Sequence, residues 1–118
     1  MKNNINQKEF QIGMKIIVLG AGAIGSLFGA KLSKLNYVTL VARKEHVDAI
    51  NKNGLKVIGL ENKTYKVKAA EKIRKIEKNT WILLTTKVND SEKAIKGIKG
   101  LIRKDTIILC LQNGLYSE

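Results

Sequence analysis

Met14-Lys-Ile-Ile-Val-Leu-Gly-Ala-Gly-Ala-Ile-Gly25 decides how this chain is read. The apolar run Ile16 to Leu19 leads straight into Gly20-x-Gly22-x-x-Gly25, and a helical pattern follows. A strand, glycines at this spacing and then a helix form the fingerprint of a dinucleotide-binding turn. Gly20 allows the tight turn off the strand. Gly22 has no Cβ, so the backbone can approach a pyrophosphate, and Gly25 seats the helix close on the sheet. The backbone of Ala21, Ala23 and Ile24 completes the turn, whose free N–H groups and positive dipole end face the phosphates. The bland alternative is a glycine-rich strand–helix loop with no ligand.

Residues 1–13 are polar and aperiodic, with Asn3, Asn4, Asn6 and Gln7, and are expected to be a disordered leader. Met14 directly precedes the strand and is a candidate natural start. The first helix is expected from Ala23 to Leu35. Ile24, Leu27, Phe28, Leu32 and Leu35 share one face at helical spacing, and Gly25 and Gly29 allow close approach to the sheet.

Tyr37 to Val41 reads as the second strand, and Ala42-Arg43-Lys44 follows it. In a fold of this type the end of that strand lies beside the adenosine ribose. A carboxylate there suits NAD hydroxyls, whereas a cation suits the 2′-phosphate of NADP. Arg43 can grip a phosphate through paired donors, Lys44 adds charge, and both point to NADP(H). The alternative is an ordinary exposed basic pair. His46 is close enough to assist but reads more simply as a surface helix residue.

Lys44 to Asn53 is expected to be a helix, with Val47 and Ile50 inward and Gly54 as its stop. Leu55 to Leu60 and Thr64 to Ala69 read as strands of a hairpin turning at Glu61-Asn62-Lys63, an insertion or an antiparallel edge. Glu71 to Lys78 is a charged connector or short helix anchored by Ile73 and Ile76. Trp81 to Thr85 is expected to be a buried parallel strand ending in Thr86-Lys87, which places Lys87 to face an anion at the carboxyl end of the sheet. In a chain this rich in lysine, a solvated loop residue is the competing reading of Lys87. Asn89-x-x-Glu92 suggests a cap for a helix whose inner face is Ala94, Ile95, Ile98, Leu101 and Ile102. Thr106 to Leu111 is the last strand. Cys110 on it reads as core, since no activating group lies near it in sequence. Gln112-Asn113-Gly114 then offers amides for a nicotinamide and a carbonyl substrate, or only a turn.

The whole is an α/β, Rossmann-type parallel sheet with helices on both faces and a β-hairpin insertion. At 118 residues it is at most one domain, short for a complete dinucleotide-dependent enzyme. The formal net charge of +12, from Lys+Arg 22 against Asp+Glu 10, attracts anions without naming one. The lysines are scattered and aromatics are only 5%, which argues against a nucleic-acid reader. A lone cysteine fits a reducing cytoplasm. No apolar run is long enough to span a membrane, and no metal-ligand pattern is apparent.

Taken in order, the glycine turn, Arg43, Thr85-Thr86-Lys87 and Leu111-Gln112-Asn113-Gly114 resemble the N-terminal domain of the ketopantoate reductase (2-dehydropantoate 2-reductase) family. Asn53-Gly54-Leu55 and the hairpin add to the resemblance, which covers about residues 14 to 118. It implies reduction of 2-dehydropantoate to pantoate with NADPH, a step towards pantothenate and coenzyme A. It also implies that Arg43 holds the 2′-phosphate and that Lys87 and Asn113 position the keto acid. The general acid of the family is a lysine on a second, largely helical domain that supplies most of the substrate pocket. The sequence stops at Glu118, so the expectation is a cofactor-binding portion truncated before that domain. No catalytic residue is assigned here, and the portion is expected to be inactive alone and to self-associate or dock on the missing domain. The competing function is a non-catalytic NAD(P)-sensing module, which would need Arg43 but neither Lys87 nor Asn113.

Overall fold

The computed structural model describes residues 13–20, 23–57, 62–85 and 88–111; at 23–24 and 88–91 it describes the backbone alone. The elements are β1 (Lys15–Leu19), α1 (Ala23–Leu32), β2 (Tyr37–Val41), α2 (Lys44–Asn53), β3 (Leu55–Val57), β4 (Lys63–Tyr65), β5 (Lys68–Ala70), β6 (Thr80–Leu84), α3 (Val88–Ile98), a 3-10 turn (Lys99–Leu101) and β7 (Ile107–Cys110). Five strands form one sheet in the order β5-β2-β1-β6-β7, with every pairing parallel. β3 and β4 make a separate antiparallel hairpin.

Side chains alternate across a strand, so β1 feeds two cores. Ile16 and Val18 join Val38, Leu40 and Leu83 on one face, together with Ala30 of α1 and Val47 and Ile50 of α2. Ile17 and Leu19 join Ile82, Leu84 and Ile98 of α3 on the other. Buried on both faces, β1 and β6 are apolar throughout their centres, as parallel strands require. The chain steps from β1 to β2 in one direction and from β6 to β7 in the other. Right-handed crossovers then put α1 and α3 on opposite faces.

Several expectations change. Two of the large apolar residues of α1 do not face the sheet: Leu27 is 45% and Phe28 42% exposed, while Leu32 packs on the first core and Leu35 lies beyond the helix end at 60%. Gly25, Gly29 and Ala30 are buried instead. A Cβ on Gly29 would fall 2.5 Å from Leu40 Cδ2, so the helix sits closer than a side-chained face permits. The helix also stops at Leu32, where the Asn36 amide donates to the Leu32 carbonyl at 3.0 Å and the Ser33 hydroxyl to the Ala30 carbonyl at 2.7 Å.

The run 64–69 is not one strand. Its start pairs with β3, the chain turns at Lys66-Val67, and Lys68–Ala70 joins the main sheet beside β2. The reason lies in two different anchors: Tyr65 is buried under the hairpin, and Ala69 is buried against the sheet. Asn51 on α2 fixes that edge. Its amide donates to the Ala69 carbonyl at 3.1 Å and accepts from the Ala69 N–H at 3.2 Å, completing backbone groups that an edge strand otherwise leaves open.

Cys110 is exposed rather than core. Among the described residues β7 is an edge strand with β6 as its only sheet neighbour, and Ile107 and Leu109 are 43% and 41% exposed. Only Ile108 turns into the second core. Elsewhere the pattern holds: α2 spans the expected residues, and Gly54 at φ 85 donates its N–H to the Ile50 carbonyl at its end. Asn89 lies inside the first turn of α3, which begins at Val88, rather than ahead of it. The proposed leader lies outside the described residues apart from Gly13.

Candidate functional site

In an open parallel sheet the ligand crevice lies beyond the carboxyl ends of the strands, where the strand order reverses. Here that point is between β1 and β6. Gly20 follows β1 at φ 87, a left-handed conformation that glycine adopts without strain. Thr85 follows β6 and ties the two ends together. Its N–H donates to the Leu19 carbonyl at 3.0 Å, and its hydroxyl donates to the Gly20 carbonyl and lies 3.0 Å from that of Leu19. The hydroxyl is therefore committed to the turn and acts by shaping it.

Gly25 completes this knot. A Cβ there would stand 2.6 Å from Thr85 Oγ1 and 2.7 Å from the Gly20 carbonyl oxygen. The second of these is backbone and cannot swing aside. Further along the same edge, the Leu111 N–H donates to the Leu84 carbonyl at 2.8 Å, so the ends of β1, β6 and β7 meet in a row.

A cleft of about 350 Å³ opens beside Gly20. Leu19, Val41, Ile73, Ala94 and Ile98 give it an apolar lining, and Glu71, Lys72 and Lys93 add charge of both signs. Its size suits part of a small organic ligand. The contributions of Ile73, Lys72 and Lys93 were not apparent from the sequence. The available signal was β5: once it is a parallel neighbour of β2, residues 71–73 must lie at a carboxyl end.

Arg43 and Lys44 are exposed at the end of β2, where Arg43 forms the N-cap of α2 without a side-chain capping bond. Among the described residues the Arg43 side chain has no hydrogen-bonding or ionic partner. Cations at a helix N-terminus oppose its dipole, so helix stability does not explain Lys44 there. His46 is exposed on the same helix. Gly20, Gly25, Arg43, Lys44, Thr85 and the backbone of Ala23 and Ile24 are thus all at the carboxyl edge. Ala21, Gly22, Thr86, Lys87, Gln112 and Asn113 lie outside the described residues. Among the described residues no cluster of His, Cys, Asp and Glu could hold a metal, and no helix is long and apolar enough to cross a membrane.

Strand order, glycine turn and crevice define a Rossmann-type α/β domain. The chain belongs to the ketopantoate reductase PanE/ApbA family, whose model matches residues 16–118. It is 45% identical over 106 residues to the 2-dehydropantoate 2-reductase of Pyrococcus horikoshii, covering 89% of this chain and 35% of that protein. The structure of a PanE/ApbA family ketopantoate reductase from Ralstonia eutropha superposes with a TM-score of 0.73 at 30% identity, over 85% of this chain and 34% of that one. D-mandelate dehydrogenase, solved with NADH and anilino(oxo)acetate, is also similar, with a TM-score of 0.73 at 37% identity over 85% of this chain and 33% of that one. The chain therefore spans about a third of the length of the relatives it matches.

Proposed function

We propose that residues 14–118 are the cofactor-binding portion of an NADPH-dependent reductase that converts 2-dehydropantoate to pantoate. The observation that carries this reading is the knot of Gly20, Gly25 and Thr85 at the switch point, with Arg43, which has no side-chain partner among the described residues, on the same edge. A dinucleotide fits these residues, since a Cβ at Gly25 would close the turn the pyrophosphate needs. The backbone of Gly20, Ala21, Gly22, Ala23, Ile24 and Gly25 would hold the pyrophosphate, and Arg43 with Lys44 the 2′-phosphate. The apolar cleft by Val41 and Ile73 would take the adenine. Bound NADPH supplies the hydride.

Thr85 keeps the turn in shape, and Thr86 and Gln112 would border the nicotinamide end. Lys87 and Asn113 would orient the keto acid by hydrogen bonds to its oxygens. Protonation of the developing alkoxide falls to a lysine of a following helical domain, for which the exposed Phe28, Ile107 and Leu109 offer apolar contact. The relative solved with NADH makes that cofactor the competing reading.

The test separates binding from turnover. The 118-residue chain should bind NADPH with a stoichiometry near one, yet show no oxidation of NADPH dependent on 2-dehydropantoate, read at the nicotinamide absorbance band. Steady turnover by the pure chain would overturn the division of labour between the two domains.

A further inference from the structure

A second cavity lies at the opposite end of the sheet from the glycine turn. Lys15, Tyr37, Lys68 and Thr80 are the first residues of β1, β2, β5 and β6, and all four line a space of about 440 Å³. These strands are parallel, so their amino ends meet there and their carboxyl ends meet at the crevice. Lys66 and Lys75 line it as well, and Glu77 is its one acidic residue. Lys15 is already paired with Glu77. Among the described residues, Lys66, Lys68 and Lys75 make no hydrogen bond and no salt bridge, and Lys75 and Lys68 act on the Glu77 carboxyl only through space.

We propose that this cavity binds a chain of linked phosphates, held by the ammonium groups of Lys66, Lys68 and Lys75. Four lysines around one space face a single carboxylate, so the lining keeps a net positive charge that an anion would neutralise, and phosphate oxygens suit lysine as a point charge. The volume admits a triphosphate-sized ligand and is too confined for a folded macromolecule. Lys15, Lys68 and Lys75 converge on Glu77. The hydrogen bond and charge of Lys15 are the main causes holding the Glu77 carboxyl below the usual carboxylate range, and Lys75 and Lys68 add to them. Such a ligand is either inorganic polyphosphate or a nucleoside triphosphate. The site is independent of the cofactor reading, because it shares no residue with the glycine turn.

Calorimetric titration of the whole chain with inorganic tripolyphosphate and, separately, with ATP tests the proposal. Saturable binding of one tripolyphosphate is expected. The exposed residues make Lys66→Ala/Lys68→Ala/Lys75→Ala a mild change to the fold, and it should weaken that binding at least tenfold. Lys52→Ala/Lys96→Ala/Lys104→Ala removes the same charge elsewhere and should leave it within threefold, as should Arg43→Ala. ATP bound more tightly than tripolyphosphate, with the excess lost in Tyr37→Ala, names a nucleotide as the source; equal affinity names inorganic polyphosphate. Equal weakening in both triple variants would reduce the effect to net charge and overturn the proposal. Loss of binding in Arg43→Ala would move the ligand to the other end of the sheet and overturn it too, as would an absence of saturable binding.

Discussion

Gly25→Ala should lower the stability of the chain by about 1–3 kcal/mol, the usual range for overpacking a close contact. In a helix, alanine normally gains roughly 1 kcal/mol over glycine. Here the new methyl meets the Gly20 carbonyl oxygen at 2.7 Å and Thr85 Oγ1 at 2.6 Å, so the sign reverses. Relief requires α1 to back away from the turn. That breaks the Thr85 hydrogen bonds and reopens the segment that would hold the pyrophosphate. Thermal unfolding should show a fall of at least about 4 °C, and NADPH binding should weaken at least tenfold. Gly97→Ala on α3 is the control. A Cβ there meets nothing within 4 Å, so that variant should unfold no lower than the parent. A Gly25→Ala chain that melts and binds like the parent would show that the knot tolerates a methyl.

Arg43→Ala should weaken NADPH by about 10- to 100-fold, the range expected for loss of a charge-assisted phosphate contact. NADH lacks the 2′-phosphate and should change by less than about threefold. Stability should stay within about 0.5 kcal/mol, since Arg43 is exposed and makes no capping bond. Competition fluorescence with both nucleotides on both chains separates the arms. Equal losses for NADPH and NADH would mean that Arg43 touches the shared part of the dinucleotide, or only supports α2.

The parts of this fold that were legible in the sequence are those written locally. Gly20 to Gly25 carries its own turn chemistry, and Arg43 is placed by counting from the second strand. β1 and β6 are apolar because both their faces are covered, which composition alone records. The orientation of α1 was legible in part. Gly25 and Gly29 mark the close approach to the sheet, whereas hydrophobic periodicity also assigns Leu27 and Phe28 to the core side, where they are exposed. β5 was hidden for a related reason: a strand of three residues has too little period to separate it from β4. The exposure of Cys110 depends on which strand lies beyond it, a property of the sheet and not of the segment. The cleft draws Val41, Ile73 and Ala94 from three distant segments, so no single window of sequence contains it.

Titration of the unmodified chain with NADPH and then with NADH tests whether the carboxyl edge of this sheet is an NADPH site. Saturable binding of one NADPH is expected, at least tenfold tighter than NADH, with nicotinamide fluorescence as the readout. NADH bound as tightly as NADPH would contradict the assignment of Arg43, and no saturable binding of either would contradict the site itself.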